Sequence, residues 1–287
     1  MKENFRHIGR ETKRILGDQI VTGKAQYTGD FKLRGMQYGR VLRSPHPYAR
    51  IKSIDTAAAK ALPGVTAVIT WKDVPRSIYI TNGWTPTKHH HILDEYVRYV
   101  GDAVAMVVAV TEDIAVEAMD LIKVEYEVLD PVFTIDEALA PGAPQLYPEL
   151  PGNLAPAKNN LHFEAGDPEQ GFAEADAVVE MDMALSSGQN PLPLEPPTII
   201  AHWEGEDVHF IASAAAPAYC HQNVAASLGI PYENVRLMAP AVGGSFGSKL
   251  YSGNVHALVF AAVMAKAAQC PVLMTYTKEE HFGAFQN

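Results

Sequence analysis

Val242-Gly243-Gly244-Ser245-Phe246-Gly247-Ser248-Lys249 is the stretch on which the reading of this chain turns. Three glycines and two serines surround one aromatic. The stretch follows the strand-like Val235-Arg236-Leu237-Met238 and precedes an apolar helical run from Val255 to Ala268. Glycine lacks a Cβ and tolerates positive φ, so another molecule can come close to the main chain. A strand, a glycine-rich turn and a helix in succession present several backbone N–H groups, which suits an anionic or oxo-rich ligand. The spacing fits neither a P-loop nor G-x-G-x-x-G. The residues alone leave two readings open, a tight turn in a packed α/β domain or a ligand cradle.

Working outward, 287 residues exceed the usual size of a single core, so two domains are expected. Hydrophobic residues at 47% and charged residues at 20% are those of a folded soluble chain. The net charge, 23 − 33 = −10, argues against nucleic acid as a partner. Cys220 and Cys270 lack C-x-x-C spacing, so the chain itself ligates no iron–sulfur cluster or cysteine-rich zinc site. Their scarcity fits a reducing cytoplasm, with a disulfide between them left open. Met1 to Leu16 is charged throughout, unlike a secretory signal, and Ala103–Val110 and Ala257–Ala265 are too short to cross a bilayer. A cytoplasmic location is the expectation.

Met36–Val41 and Val65–Trp71 predict strands, with a short helix over Thr56–Leu62 between them. Val104–Val110 predicts a buried strand, and Thr111 caps a helix whose Ile114, Ala115, Ala118, Met119 and Ile122 share one face. Lys123–Val128 alternates, placing Val124, Tyr126 and Val128 together. This β-α-β pattern predicts an α/β unit over residues 1–130. Residues 131–157 carry six prolines, Pro131, Pro141, Pro144, Pro148, Pro151 and Pro156, and read as a connector with a short helix at Asp136–Leu139. A second unit over 158–287 predicts strands at Ala177–Met183, Thr198–Trp203, Val208–Ser213 and Val235–Met238. Its helices are expected at Tyr219–Leu228 and Asn254–Ala268.

Several motifs recur in a fixed order along the chain: Val21–Asp30, Leu42–Ile51, Tyr99–Ala105, Val124–Leu129, Gly166–Glu180, Leu194-Glu195-Pro196, Leu228–Arg236 and the glycine-rich stretch. Taken together they resemble the N-terminal part of the molybdopterin-binding large subunit of the xanthine dehydrogenase and aldehyde oxidase family, the molybdenum hydroxylases. The resemblance implies an α/β (α+β) fold, an aldehyde oxidase-type α/β hammerhead domain followed by the first portion of a molybdopterin-binding domain. It implies molybdenum-molybdopterin in its cytosine dinucleotide form, with FAD and [2Fe–2S] clusters on partner subunits. The activity implied is hydroxylation of an N-heterocycle or aldehyde with oxygen derived from water. The family's subunit normally continues several hundred residues further, so this sequence is expected to be either a fragment of such a subunit or one piece of a split one, in which a second molybdopterin-subunit chain completes the site and supplies the general base.

Carried over residue by residue, the main chain at Phe246 lies beside the metal, with Gly244, Ser245 and Gly247 lining the approach. Ala215 stands where the family has a glutamine that donates to a metal oxo group, so that side-chain donor is missing. Ser245 and Ser248 replace two of the family's glycines, Leu250 stands where purine-oxidising members have a glutamate, and Pro191 where a histidine is common. These departures keep a rival reading alive, a non-catalytic scaffold or assembly subunit with a degenerate cofactor site. His89-His90-His91 reads as a solvated loop, since neighbours on an extended segment point to opposite faces. His221 and Cys220 read as packing residues, Glu195 as a structural carboxylate bonded to backbone, and Glu279 and Glu280 as a solvated charged end.

Overall fold

The computed structural model describes residues 8–9, 11–76, 78–80, 88–148, 150–154, 163, 165–183, 190–250 and 252–284. Among these the chain forms helix α1 (Gly17–Val21), strands β1 (Gln37–Arg43) and β2 (Ala49–Asp55), helix α2 (Ala57–Ala61) and strands β3 (Val65–Thr70), β4 (Ile78–Ile80), β5 (Lys88–His91), β6 (Tyr96–Val97) and β7 (Ala103–Ala109). Helix α3 (Glu112–Asp120), strand β8 (Lys123–Val128) and helices α4 (Ile135–Leu139) and α5 (Pro168–Glu174) follow. The chain continues through β9 (Thr198–Glu204), β10 (Asp207–Ala212), α6 (Pro217–Leu228), β11 (Val235–Met238), α7 (Ser252–Ala268), β12 (Val272–Thr275) and α8 (Lys278–Ala284).

Local chemistry sets several of these boundaries. The Thr111 hydroxyl accepts the Ile114 N–H and starts α3. Thr134 and Glu137 form a reciprocal capping box at α4. Helix α6 opens on Pro217 and stops at Gly229, whose φ of 66° only glycine adopts without cost.

A seven-stranded sheet in the order β11-β10-β9-β12-β1-β7-β3 forms the centre. The parallel pair β1–β12 joins strands from either side of the proline-rich connector into this one sheet. Every residue of β7 is buried, which explains its unbroken apolar run: both faces of the sheet are covered there. Met106 and Val108 belong to the core built around α7, while Ala105, Val107 and Ala109 pack with α2 and α3. At Gly39 of β1 the sheet and α7 come so close that a Cβ would lie 2.6 Å from the Met264 sulfur and 2.9 Å from Val272. Strands β6, β2 and β8 make a separate small sheet.

Some expectations give way. Ala177–Met183, expected as a strand, is exposed and pairs with no strand among the described residues. His89–His91 is not loop; it lies in β5, paired with β4. The face shared by Val124 and Tyr126 ends before Val128, which is 59% exposed. Among the described residues no helix is long and apolar enough to cross a membrane, and both cysteines are free thiols.

Candidate functional site

Beyond β11 the chain runs through Ala241, whose N–H donates to the Gln26 carbonyl and which bridges in parallel to Tyr27. The early Val21–Asp30 stretch thus braces the base of the glycine-rich loop. Ser245 tightens the loop itself. Its carbonyl accepts the Ser248 N–H at 3.0 Å and the Ser248 hydroxyl at 2.8 Å, and its own hydroxyl accepts the Lys249 N–H at 3.1 Å. Both serines therefore build the turn from within.

Three residues of this loop sit at positive φ: Gly244 at 97°, Phe246 at 52° and Gly247 at 100°. For glycine this is ordinary; for phenylalanine it is strain held in place by its surroundings. The Phe246 ring folds back over Gly244, where a Cβ would meet the ring at 2.9 Å and Pro193 at 3.2 Å, yet the side chain is 77% exposed. Ser248 and Lys249 by contrast are buried.

The N–H groups of Gly244, Ser245, Phe246 and Gly247 have no protein acceptor among the described residues, whereas those of Gly243, Ser248, Lys249 and Leu250 all do. Four consecutive main-chain donors are thus left for something else. Such a row of amides in a glycine-rich turn suits an anionic or oxo ligand.

Beneath the loop lies a buried ion pair. Lys249 Nζ sits 2.8 Å from Glu195 Oε2, with the lysine side chain fully inaccessible and the glutamate 13% exposed. The same oxygen accepts the Gly243 N–H at 2.7 Å, and the Glu195 N–H donates to the Gly243 carbonyl at 3.2 Å. Glu195 is structural and backbone-bonded, as its place between Leu194 and Pro196 suggested; its charge partner Lys249 had no sequence signal. Burial lowers the Lys249 ammonium below its ordinary value, against the opposing pull of Glu195. Lys278 Nζ donates to the Pro193 and Leu194 carbonyls, fixing the other edge of the same segment. His281 is buried close by. Burial first, then Lys278 and Lys249, lower its imidazole to about 4, so it is neutral at pH 7.

The structure brings Ala215 to this loop: its N–H donates to the Lys249 carbonyl at 3.0 Å. With that amide engaged, Ala215 offers a ligand neither a side-chain donor nor an open N–H. Cys220 is buried, and Asn254 donates to its sulfur. His221 stacks on Tyr232 at 3.9 Å. Glu279 is exposed, but Glu280 is not the solvated charge that was expected. It meets Arg43 at 3.2 Å and Arg40 at 3.5 Å, because α8 folds back onto β1.

Residues 22–130 match the family model for the aldehyde oxidase and xanthine dehydrogenase a/b hammerhead domain, and residues 147–286 that for the molybdopterin cofactor-binding domain. The chain belongs to the xanthine dehydrogenase and aldehyde oxidase family. It is 32% identical to the probable hypoxanthine oxidase XdhD of Escherichia coli strain K12, over 98% of this chain and 33% of that protein. It is 30% identical to the nicotinate dehydrogenase large molybdopterin subunit of Eubacterium barkeri, over 98% of this chain and 64% of the other. Reconstituted CO dehydrogenase from Oligotropha carboxidovorans superposes with a TM-score of 0.80 at 31% identity, covering 95% of this chain and 35% of its own. Quinoline 2-oxidoreductase from Pseudomonas putida 86 gives a TM-score of 0.75 at 29% identity, covering 95% and 35%. The chain corresponds to the N-terminal part of the family's molybdopterin-binding large subunits, about a third of the length of most of these relatives.

The loop fits the cofactor of this family. Its four open amides suit oxo or phosphate oxygens, and at Gly247 nothing lies within 4 Å of where a Cβ would stand, whereas the missing Cβ at Gly244 makes room for the Phe246 ring.

Proposed function

We propose that the chain forms one wall of the molybdopterin site of a molybdenum hydroxylase, an oxidoreductase acting on an N-heterocycle or aldehyde. The observation that carries this reading is the run of four N–H groups at Gly244–Gly247 without an acceptor among the described residues, on a strained loop exposed at Phe246 and Gly247. Gly244, Ser245, Phe246 and Gly247 are assigned to the cofactor, Phe246 through its main chain beside the metal, and Ala215 to the neighbouring wall. The cofactor, in its cytosine dinucleotide form, would supply the redox and oxygen-transfer chemistry. This chain's residues orient it and exclude water from one side. No side chain here is assigned as general base.

The working division is a hammerhead domain over 1–130, a connector over 131–157 and the first part of the molybdopterin-binding domain over 158–287. The remaining enclosure comes from polypeptide corresponding to the part of the relatives that this chain does not span. FAD and [2Fe–2S] clusters sit on partner subunits, and the assembly is cytoplasmic.

Metal analysis of the native assembly, together with fluorescence of its oxidised pterin, tests the reading. Stoichiometric molybdenum and pterin are expected. A folded assembly free of both would overturn the proposal and favour the scaffold alternative, towards which Ala215 and its engaged N–H point.

A further inference from the structure

We infer that Lys249 and Glu195 are a positioning pair, which aims the open amides of the glycine-rich loop at the cofactor. The inference rests on the molybdopterin reading above and goes beyond it by assigning work to two residues that do not touch the ligand.

Lys249 closes the loop and is wholly buried, while Glu195 lies in the separate segment that follows Leu192-Pro193. One oxygen, Glu195 Oε2, takes both the ammonium at 2.8 Å and the Gly243 N–H at 2.7 Å; Oε1 is buried with no hydrogen-bond partner among the described residues. The carboxylate therefore grips the loop through a single atom, at the residue immediately before the four open amides. A bulkier residue at Gly243 would be excluded, since a Cβ there would lie 2.6 Å from the Glu195 Cβ. Lys278 holds the Pro193 and Leu194 carbonyls, so the anchoring segment is itself fixed.

Cohesion alone does not account for the pair. Taking two charges out of water is costly, and apolar residues of similar volume commonly serve a core equally well. Direction is what the pair adds. A point charge bonded to one oxygen sets where Gly243 sits, and hence the heading of the amides that follow. Neutral His281 completes the buried surroundings without adding a third positive charge beside Lys249 and Lys278.

The test uses the full-length, cofactor-loaded protein and four variants: Lys249→Met, Lys249→Arg, Glu195→Gln and the double variant Glu195→Gln/Lys249→Met. Pterin retained per folded chain is measured beside amide hydrogen exchange at Gly243–Gly247, with β9 and α7 amides as the internal record of global stability. Lys249→Met is expected to lose more than about tenfold in retained pterin and to speed loop exchange by a similar factor, with α7 protection lowered as well by the stranded Glu195 carboxylate. Lys249→Arg, which preserves the charge, is expected to rescue most of the retention. The double variant removes the stranded charge, so it should recover global protection while the loop amides stay fast. Unchanged loop exchange and retention in Lys249→Met, or losses that follow α7 protection in every variant, would reduce the pair to a structural contact and overturn the inference. Should the wild-type protein carry no pterin, the cofactor reading falls, and exchange at Gly243, Ser248 and Lys249, whose N–H groups are bonded within the protein, still decides whether the pair orders the loop.

Discussion

Phe246 allows the strain at the proposed site to be weighed against its packing. Its φ of 52° lies in the left-handed region, which costs an L-residue with a Cβ about 1–2 kcal/mol. The ring is 77% exposed, so only about a quarter of a surface of roughly 200 Å² is covered. At ~25 cal/mol per Å², losing that contact costs about 1 kcal/mol. Phe246→Ala loses the contact and keeps the strain, so it should be about 1 kcal/mol less stable than wild type. Phe246→Gly loses the same contact but relieves the strain, offset by about 0.5–1 kcal/mol of extra freedom in the unfolded chain. The glycine variant should therefore exceed the alanine variant by roughly 0.5–1 kcal/mol. Urea unfolding at matched m values reads the difference directly. An alanine variant as stable as the glycine variant would show that the loop holds no such strain. Pterin content, measured separately, should fall in the glycine variant despite its better stability, because the freed backbone no longer holds its amides in one direction.

Gly39→Ala places a methyl against Met264 and Val272 where β1 meets α7 and β12, and should cost about 1–3 kcal/mol by overpacking; a loss below about 0.5 kcal/mol in urea unfolding would contradict that close approach. Two groups, buried His281 and half-buried Asp102, should tilt stability in opposite senses between pH 4 and 6.5. His281, lowered to about 4 by burial and two lysines, lets the unfolded chain bind the extra proton, so its contribution grows as pH rises through this window. Asp102, raised to about 6 by burial, makes the folded chain bind the extra proton, so its contribution shrinks as pH rises from 3.8 to 6. Relative to wild type, His281→Asn should flatten the first slope and Asp102→Asn the second, as followed by unfolding titrations at each pH; slopes changing in the same direction would refute these assignments. Burial pushes the Cys220 thiol up to about 11, so at pH 8 a thiol reagent should label half-buried Cys270 first, as mass spectrometry would show. Purified residues 1–287, loaded with cofactor but without other polypeptide, should show no hydroxylase turnover; activity in that preparation would mean the chain carries its own general base.

The central elements were legible because their causes are local. Val104–Val110 announces a strand covered on both faces, found one residue earlier at Ala103–Ala109; Thr111 announces its helix, and Val235–Met238 occurs within the limits its pattern predicts. The loop at Gly243–Lys249 was legible as a turn, and the ordered motifs tied it to a family. Strand β12 was not foreseen, because three apolar residues and a threonine after Pro271 are too short a run to announce a strand that owes its place to neighbours β1 and β9. Ala177–Met183 failed in the other direction: β-forming residues were present, and among the described residues a partner strand was not.

The sequence by itself determined the limits of elements with local signals such as α3 and β11, the buried run of β7, and where glycine makes a turn possible. Those properties depend on residues a few positions apart. Tertiary structure alone decided that β1 and β12 join the strand groups from either side of the connector into one sheet. It also decided that Glu195 reaches Lys249 across 54 positions and that Glu280 returns to Arg43 across 237. An ion pair of that span leaves no periodic trace, because either residue alone looks like any other surface charge until folding removes the water around both.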